Sequence, residues 1–145
     1  LYLQPDTLTQ PRLIAEWWIP AAGGASVTED GRRTESRSFT REQVVLWDPP
    51  VIVTNDPNFM REVWTMPVWQ SVTAVRKKRV YLSPHVPFGW FDYPPGPNRL
   101  LGLLWLSEIL YPDLFRHDYP RQIAEFHKRF YHQECPPQII GGVLE

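Results

Sequence analysis

Hydrophobic positions along the chain form two kinds of segment, short β-branched runs and longer stretches with helical spacing. Residues 51–54 are a continuous β-branched run between prolines and Asn55-Asp56, a pattern typical of a strand that is buried on both faces. Residues 79–82 form a second run, and residues 1–4 resemble the end of a third strand. Because helical segments separate these runs, the pattern predicts an α/β fold, a small three-layer domain with a short, mostly parallel sheet.

Capping residues and apolar spacing mark the helical segments. Thr40 and Gln43, three residues apart, form a capping box before the apolar residues 44–47. Gly96 and Pro97 suit the start of the nearly all-apolar helix that follows them. The remaining expectations are a helix from a Thr9 cap to Gly23 with Trp17 and Trp18 on one face, a helix through residues 59–64, Trp69 in a linking segment, a helix from Asp118 or Tyr119 with Ile123, Phe126 and Phe130 inward, a short helix from Pro136, and a surface loop over residues 25–38.

Charge and composition narrow the classes of function. The 145 residues carry 15 Lys+Arg against 16 Asp+Glu, so the formal net charge is -1 and no nucleic-acid partner is expected. The single cysteine, Cys135, has no second thiol for a disulfide or a structural zinc site, and the four histidines lack the spacing of metal ligands. The apolar stretch of residues 100–110 is shorter than the ~20 residues of a membrane span. We therefore expect one globular domain without a bound metal, a cofactor or a membrane span.

Candidate ligand contacts lie in the segments that follow the predicted strands. Ligands of open parallel sheets bind beyond the carboxyl ends of the strands, where this chain has residues 5–10, 55–58 and 83–97. The last segment is dense in aromatic residues, which can form a wall for a flat or organic-coated metal complex, with tyrosine hydroxyl or histidine nitrogen as polar contacts. Its aromatic and polar residues include His85, Phe88, Trp90, Phe91, Asp92 and Tyr93. The alternative is that these aromatic side chains fold back as the core of a loop that proline makes rigid.

Arg99 is a second candidate, because it lies in the first turn of its helix. The helix dipole disfavours a cation there, by a few tenths of a kcal/mol or more. An anionic ligand at the helix N-terminus, bound by backbone N–H groups and guanidinium together, would account for it. The alternative is a surface salt bridge, for instance with Asp92. No dinucleotide, phosphate-loop or hydrolase motif accompanies these residues, so no catalytic centre is expected.

Several segments, in this order, resemble the C-terminal lobe of the helical-backbone periplasmic binding proteins. These proteins are the substrate-binding components of ABC importers for ferric siderophores, haem, cobalamin and, in some members, molybdate or tungstate. The resemblance covers nearly the whole chain and is carried by Ala22-Gly23-Gly24, Thr40-Arg41-Glu42-Gln43-Val44, Asp48-Pro49-Pro50-Val51-Ile52-Val53, Trp69 with Ala74-Val75, Arg79-Val80-Tyr81, Phe88-Gly89-Trp90-Phe91-Asp92 and Asn98-Arg99-Leu100-Leu101-Gly102-Leu103. One departure is Lys77-Lys78, where the family usually has an Asn-Gly type of turn that accepts positive φ.

The resemblance implies a two-lobed protein whose lobes are joined by a long helix and hold the ligand in a cleft. Residues 1–145 would be the C-terminal lobe, with the N-terminal lobe and the connecting helix before Leu1. The implied ligand is an iron complex or a related metal-containing species, with molybdate, tungstate or cobalamin as alternatives. The resemblance also favours Trp90 and Tyr93 as aromatic residues that face the cleft. The implied partner is an ABC permease, and the implied location is periplasmic or otherwise extracytoplasmic, with lipid anchoring left open.

The resemblance also gives Glu42 a role. In the family a glutamate at this place docks onto arginines of the membrane permease. The alternative is that Glu42 is simply a favourable carboxylate at a helix N-terminus. The rival interpretation of the whole chain is a domain of an α/β enzyme, for instance a reductase or hydrolase, whose catalytic centre lies in sequence outside these residues.

Overall fold

The computed structural model describes residues 1–3, 8–10, 17–28, 37–86, 88–91, 96–137 and 139. The chain divides into two compact units, Leu1–Ser83 and Pro84–Glu145. In chain order, the elements of the first unit are β1 (Tyr2–Leu3), β2 (Thr9–Gln10), α1 (Ile19–Ala21), β3 (Arg37–Ser38), α2 (Arg41–Trp47), β4 (Ile52–Thr54), α3 (Pro57–Glu62), a 3-10 helix (Pro67–Ser71), α4 (Thr73–Arg76) and β5 (Val80–Leu82). Those of the second unit are α5 (Arg99–Leu110), α6 (Tyr119–Phe126) and a π-helical turn (His127–Tyr131).

A parallel sheet forms the centre of the first unit. Its strand order is β1-β4-β5, with Tyr2 paired to Val53 and Ile52 paired to Val80. The central strand β4 is buried at every residue, as expected for a strand covered on both faces. The predicted α/β fold with a short parallel sheet is therefore confirmed.

A second pair of strands corrects two of the sequence predictions. Thr9 does not cap a helix, because it lies in β2 and pairs antiparallel with Ser38 of β3. Ser38 therefore belongs to a strand and not to the surface loop expected over residues 25–38. A hydrogen bond from the amide of Phe39 to the carbonyl oxygen of Leu8, 3.0 Å, extends the pair. The pairing joins segments that are far apart in the sequence, so the local residue pattern gives no sign of it.

Helix α1 is the end of the helix predicted before Gly23, and residues 11–16 of that prediction lie outside the described residues. Gly23 closes the helix with a φ of 80°, a left-handed value that glycine accepts at no steric cost. Trp17 is 65% exposed, so the prediction that it belongs to a buried face is wrong.

The hydrophobic core of the first unit surrounds Trp69. The side chains of Ile52, Val63, Trp69 and Val72 are completely buried. The ring of Phe59 meets the Trp69 ring edge-on, with 5.4 Å between their centroids. Trp69 was expected in a linking segment, but it lies in the 3-10 helix, whose turn directs the indole into the core. The segment that connects α3 to α4 therefore also contributes Trp69 to the hydrophobic core.

Both ends of α2 are fixed by side-chain hydrogen bonds. The predicted capping box is confirmed, because Thr40 Oγ1 accepts from the Gln43 amide at 3.2 Å and Gln43 Oε1 accepts from the Thr40 amide at 2.9 Å. Asp48 ends the helix in a left-handed conformation with a φ of 43°. Its carboxylate accepts from the amide and the hydroxyl of Thr73, at 2.6 and 2.8 Å, which ties α2 to the start of α4.

The turn before β5 has positive φ at Lys78, the backbone geometry that an Asn-Gly turn accepts more readily than Lys77-Lys78. Lys78 has a φ of 54°, although a side chain costs roughly 1–2 kcal/mol in this region. The Lys78 amide donates to the carbonyl oxygen of Val75 at 3.0 Å, and the Arg79 amide donates to that of Ala74 at 2.7 Å. These bonds and the strand that follows hold the turn without glycine.

In the second unit, α5 begins two residues later than the sequence predicts. Gly96 and Pro97 were expected to be its cap and first position, but they form a turn in which the Leu100 amide donates to the Pro97 carbonyl oxygen at 2.9 Å. Asn98 is the residue that flanks the helix. With 12 residues α5 is the longest helix in the described ranges, where no helix is both long and apolar enough to cross a bilayer.

Helix α6 begins where the sequence predicts. Asp118 caps it by accepting from the Arg121 amide at 3.2 Å, and Ile123 and Phe126 are buried. Phe130 was expected to point inward as well, but it is 42% exposed. The reason is that the chain widens into the π-helical turn at His127, so the positions after it leave the buried face of the helix.

Candidate functional site

Two polar residues after the parallel strands are used by the fold of the first unit. Asp56, which follows β4, is buried and caps α3, because its Oδ1 accepts from the Asn58 amide at 2.8 Å. The Asp56 amide donates in turn to Thr54 Oγ1 at 3.0 Å. Ser83 follows β5, and its amide donates to the carbonyl oxygen of Thr54. These contacts fix the chain at the carboxyl ends of β4 and β5.

The aromatic segment, residues 88–91 of the second unit, contains two side chains that are almost completely buried. The Trp90 indole donates from Nε1 to the carbonyl oxygen of Val86 at 3.3 Å, and the Phe91 ring packs on Trp105 with 5.7 Å between centroids. Trp90 is therefore accessible to a ligand only if the segment moves. Its role as a ligand contact stays a prediction, as does the alternative of a core residue of a rigid loop.

The other two aromatic-loop candidates lie differently. His85 is exposed, and Tyr93 lies outside the described residues. Phe88, which belongs to the same set of loop aromatics, is 48% accessible to solvent.

Arg99 begins α5 and contacts the aromatic segment. Its Nε donates to the carbonyl oxygen of Phe91 at 3.0 Å, and its side chain is half-buried. This contact holds Nε of Arg99 beside the first turn of α5, and that turn contains no acidic residue. The suggested salt-bridge partner Asp92 lies outside the described residues. The arrangement brings one cation and a helix N-terminus together, which is a combination suited to an anion.

Helix α5 approaches the aromatic segment more closely than any local sequence pattern indicates. A Cβ atom at Gly102 would overlap the carbonyl oxygen of Trp90 and come within 3.1 Å of its carbonyl carbon. Only glycine permits this approach. Asn98 adds two hydrogen bonds, since its Nδ2 donates to the carbonyl oxygen of Phe88 at 3.1 Å and its Oδ1 accepts from the Tyr131 hydroxyl at 2.7 Å. The helix start and the segment are therefore joined at Asn98, Arg99 and Gly102, which lie within about one turn of each other.

Glu42 lies on the outward face of α2. Its carboxylate is exposed, and hydrogen bonds from its own amide and from the Thr40 hydroxyl hold the pKa of the carboxyl below its usual value, so it is ionised at neutral pH. The neighbouring Arg41 contacts another residue, Glu62, at 3.0 Å. One turn further on, Leu46 is 82% exposed. This face thus offers a carboxylate beside an apolar side chain, and the docking role of Glu42 stays a prediction.

Within the ranges that the structure describes, no three His, Cys, Asp or Glu side chains come together as a direct metal site requires.

The fold defined by these elements is that of part of an ABC-transporter solute-binding protein. A solute-binding protein of this kind from Sulfurospirillum deleyianum is 28% identical, with a TM-score of 0.82 over 96% of this chain and 45% of that chain. The molybdate-binding protein MolA of Haemophilus influenzae is 29% identical over 104 residues, which are 70% of this chain and 29% of MolA. The solved structure of MolA bound to molybdate is 24% identical over 94% of this chain and 43% of that chain, with a TM-score of 0.74.

No family model matches the sequence. The chain spans less than half the length of the solved structures that it matches. The resemblance to periplasmic binding proteins and the α/β fold class predicted from the residue pattern are confirmed. The proteins that the chain resembles are solute-binding transport proteins and not enzymes, which argues against the rival interpretation as an enzyme domain.

Proposed function

We propose that the chain is the C-terminal lobe of an extracytoplasmic solute-binding protein, which captures a metal-containing ligand between two lobes and delivers it to an ABC permease. The observation that carries the proposal is the likeness to the Sulfurospirillum solute-binding protein over 96% of this chain. The other lobe and the connecting helix belong to the remainder of the full-length protein.

An oxyanion of the molybdate type is the ligand that the second unit supports best. Arg99 lies in the first turn of α5, and a tetrahedral dianion is bound well by guanidinium and helix N–H groups together. The relative MolA is a molybdate-binding protein. These two observations are independent, since the first comes from the geometry of this chain and the second from its sequence likeness.

An iron complex with an organic coat is the second candidate. It is favoured by the two exposed rings of the same loop, His85 and Phe88, which suit a flat or apolar ligand surface better than a small oxyanion. On this alternative Arg99 would contribute less to affinity than the aromatic side chains.

Calorimetric titration of the full-length protein with molybdate, tungstate, a ferric hydroxamate, haem and cobalamin tests the proposal. We expect tight binding of an oxyanion and a loss of roughly 10- to 100-fold in affinity for Arg99→Gln, because a charge-assisted contact is removed. Arg121→Gln is the control, since that guanidinium contacts Glu125 at 2.9 Å on the surface of α6.

The same titration separates the candidates. Binding of the ferric hydroxamate with Arg99→Gln unaffected would favour the iron complex over the oxyanion. Binding of none of the five ligands would contradict the metal-containing ligand altogether.

A further inference from the structure

Asn98 is a buried polar residue whose side chain does not serve its own helix. It flanks the start of α5, where an asparagine side chain ordinarily accepts a hydrogen bond from the first-turn amides, yet no such bond is present. The side chain is only 1% exposed, and both of its polar atoms are satisfied elsewhere, by Phe88 and by Tyr131. The start of α5 therefore has no side-chain cap, and the Asn98 side chain instead links two other segments by hydrogen bonds.

Tyr131 reaches Asn98 from the end of the π-helical turn. Its hydroxyl donates to Asn98 Oδ1 at 2.7 Å, and its ring lies 5.0 Å from the His127 ring and 6.4 Å from the Phe88 ring. A π-helical turn is rare, and such turns occur frequently at functional sites. Here the π-helical turn ends at Tyr131, the residue that contacts Asn98. Two irregular features, the uncapped start of α5 and the π-helical turn, are therefore joined by one hydrogen bond.

We propose that Asn98 and Tyr131 are positioning residues that together hold the aromatic segment in place at the start of α5. The order of the contacts is Tyr131 hydroxyl, Asn98 amide and Phe88 carbonyl, and each step is a hydrogen bond of ordinary length. Arg99 Nε on the Phe91 carbonyl oxygen fixes the other end of the segment. The importance of this arrangement for ligand affinity rests on the proposed function, which assigns the segment to the ligand loop.

Hydrogen exchange of the full-length protein without ligand tests the positioning role. Tyr131→Phe removes only the hydroxyl, so we expect the amides of residues 88–91 to exchange about tenfold faster while those of α5 and α6 keep their protection. The matched control is Tyr111→Phe, which removes a hydroxyl from an exposed tyrosine of the same unit. Faster exchange over the whole unit, or no change in residues 88–91, would overturn the proposal.

A double-mutant comparison tests whether Tyr131 acts through Asn98. In an Asn98→Ala background, Tyr131→Phe should add nothing to the exchange of residues 88–91, because its partner is already absent. Additive effects would overturn the linked arrangement. If Asn98→Ala does not fold, the single variant Tyr131→Phe decides the question by itself.

Molybdate is the probe for the ligand side of the proposal. If the wild-type protein binds molybdate, Tyr131→Phe should weaken binding roughly threefold to tenfold without any contact between Tyr131 and the anion. Unchanged affinity together with faster exchange would overturn the positioning of a ligand loop. If the wild-type protein does not bind molybdate, the oxyanion ligand is wrong, and the exchange result still decides the role of Asn98 and Tyr131.

Discussion

His127 is a buried titratable side chain that the proposed site does not use. Its Nε2 makes no hydrogen bond within the described residues, and burial lowers the pKa of its imidazole below the usual 6.5. The folded protein therefore keeps this ring neutral to a lower pH than the unfolded chain, which takes up a proton as the pH falls through about 6.5. Stability from this group is fully present above that pH and is lost below it, toward the folded-state pKa.

We expect His127→Gln to make the unfolding free energy less dependent on pH. The measurement is the urea midpoint of the full-length protein at several pH values between 5 and 8, with the slope of the variant compared to that of the wild type. Replacing an exposed histidine in the same way, His132→Gln, controls for the loss of any imidazole. A wild-type slope in His127→Gln would mean that burial of this ring has no energetic effect on folding.

Residue chemistry in the second unit was only partly readable from the sequence. Arg99 stood out because a cation at a helix start is locally unfavourable. Asn98 and Gly102 did not stand out, because their roles depend on which backbone lies against α5, and no local pattern encodes that neighbour. Trp90 was ambiguous for a related reason, since an aromatic residue in a loop has the same sequence signature whether it faces a ligand or the core.

At the scale of elements, α2 presents one face to solvent between its capping box and its left-handed end at Asp48. Glu42 and Leu46 lie one turn apart on that face, and both are exposed. An exposed carboxylate next to an apolar side chain suits docking onto a basic protein surface.

In the full-length protein, we expect Glu42→Arg to reduce uptake strongly and Glu42→Gln to reduce it less, with ligand affinity unchanged in both. If Glu42 docks onto arginines of a permease, the sign reversal replaces an attraction with a repulsion, while glutamine only removes the charge. The measurements are uptake in cells that carry the permease and calorimetric affinity of the purified variants. Glu134→Arg makes the same charge change on an exposed residue outside α2.

Folding of the Glu42 variants is checked by circular dichroism, because arginine also opposes the dipole at the start of α2. Wild-type uptake by folded, ligand-binding variants would leave Glu42 as a helix-terminal carboxylate only.

Elements defined by short-range signals were predicted well, and those that depend on distant partners were not. The strand at β4 and the caps of α2 and α6 are encoded within a few residues, and all three are confirmed. The helix cap predicted at Thr9 is wrong because Thr9 pairs with a distant strand. The start of α5 predicted at Gly96 and Pro97 is wrong because the helix begins after Asn98, which contacts other segments. Lys78 shows a third case, in which tertiary context overrides the local preference against positive φ.

At the scale of the whole molecule, the resemblance read from ordered motifs was confirmed although identities to the matched proteins stay below 30%. Several motifs in the right order constrain the fold more than any one motif does. Ligand identity does not follow in the same way, because it depends on a few side chains at the site, one of which, Tyr93, lies outside the described residues.

We expect the 145-residue chain by itself to bind its ligand at least ~100-fold more weakly than the full-length protein. A ligand that is held between two lobes loses half of its contacts and much of its desolvation when one lobe is absent. The measurement is calorimetry of the chain, shown to be folded by circular dichroism, against the five ligands used for the full-length protein. Tight one-to-one binding by the chain would mean that its pocket is self-contained and that the two-lobe proposal is wrong.

Gly102 finally restricts how this lobe can be engineered. Glycine in a helix interior is about 1 kcal/mol less favourable than alanine, so replacing it is normally an easy route to a more heat-resistant variant. In α5 the added methyl group would collide with the Trp90 backbone, so the aromatic segment would have to move. The cost of that movement would offset the gain in helix propensity. Thermostable versions, for instance for a biosensor, should therefore keep Gly102 and take their substitutions at exposed positions away from Glu42 and Leu46, such as Leu114.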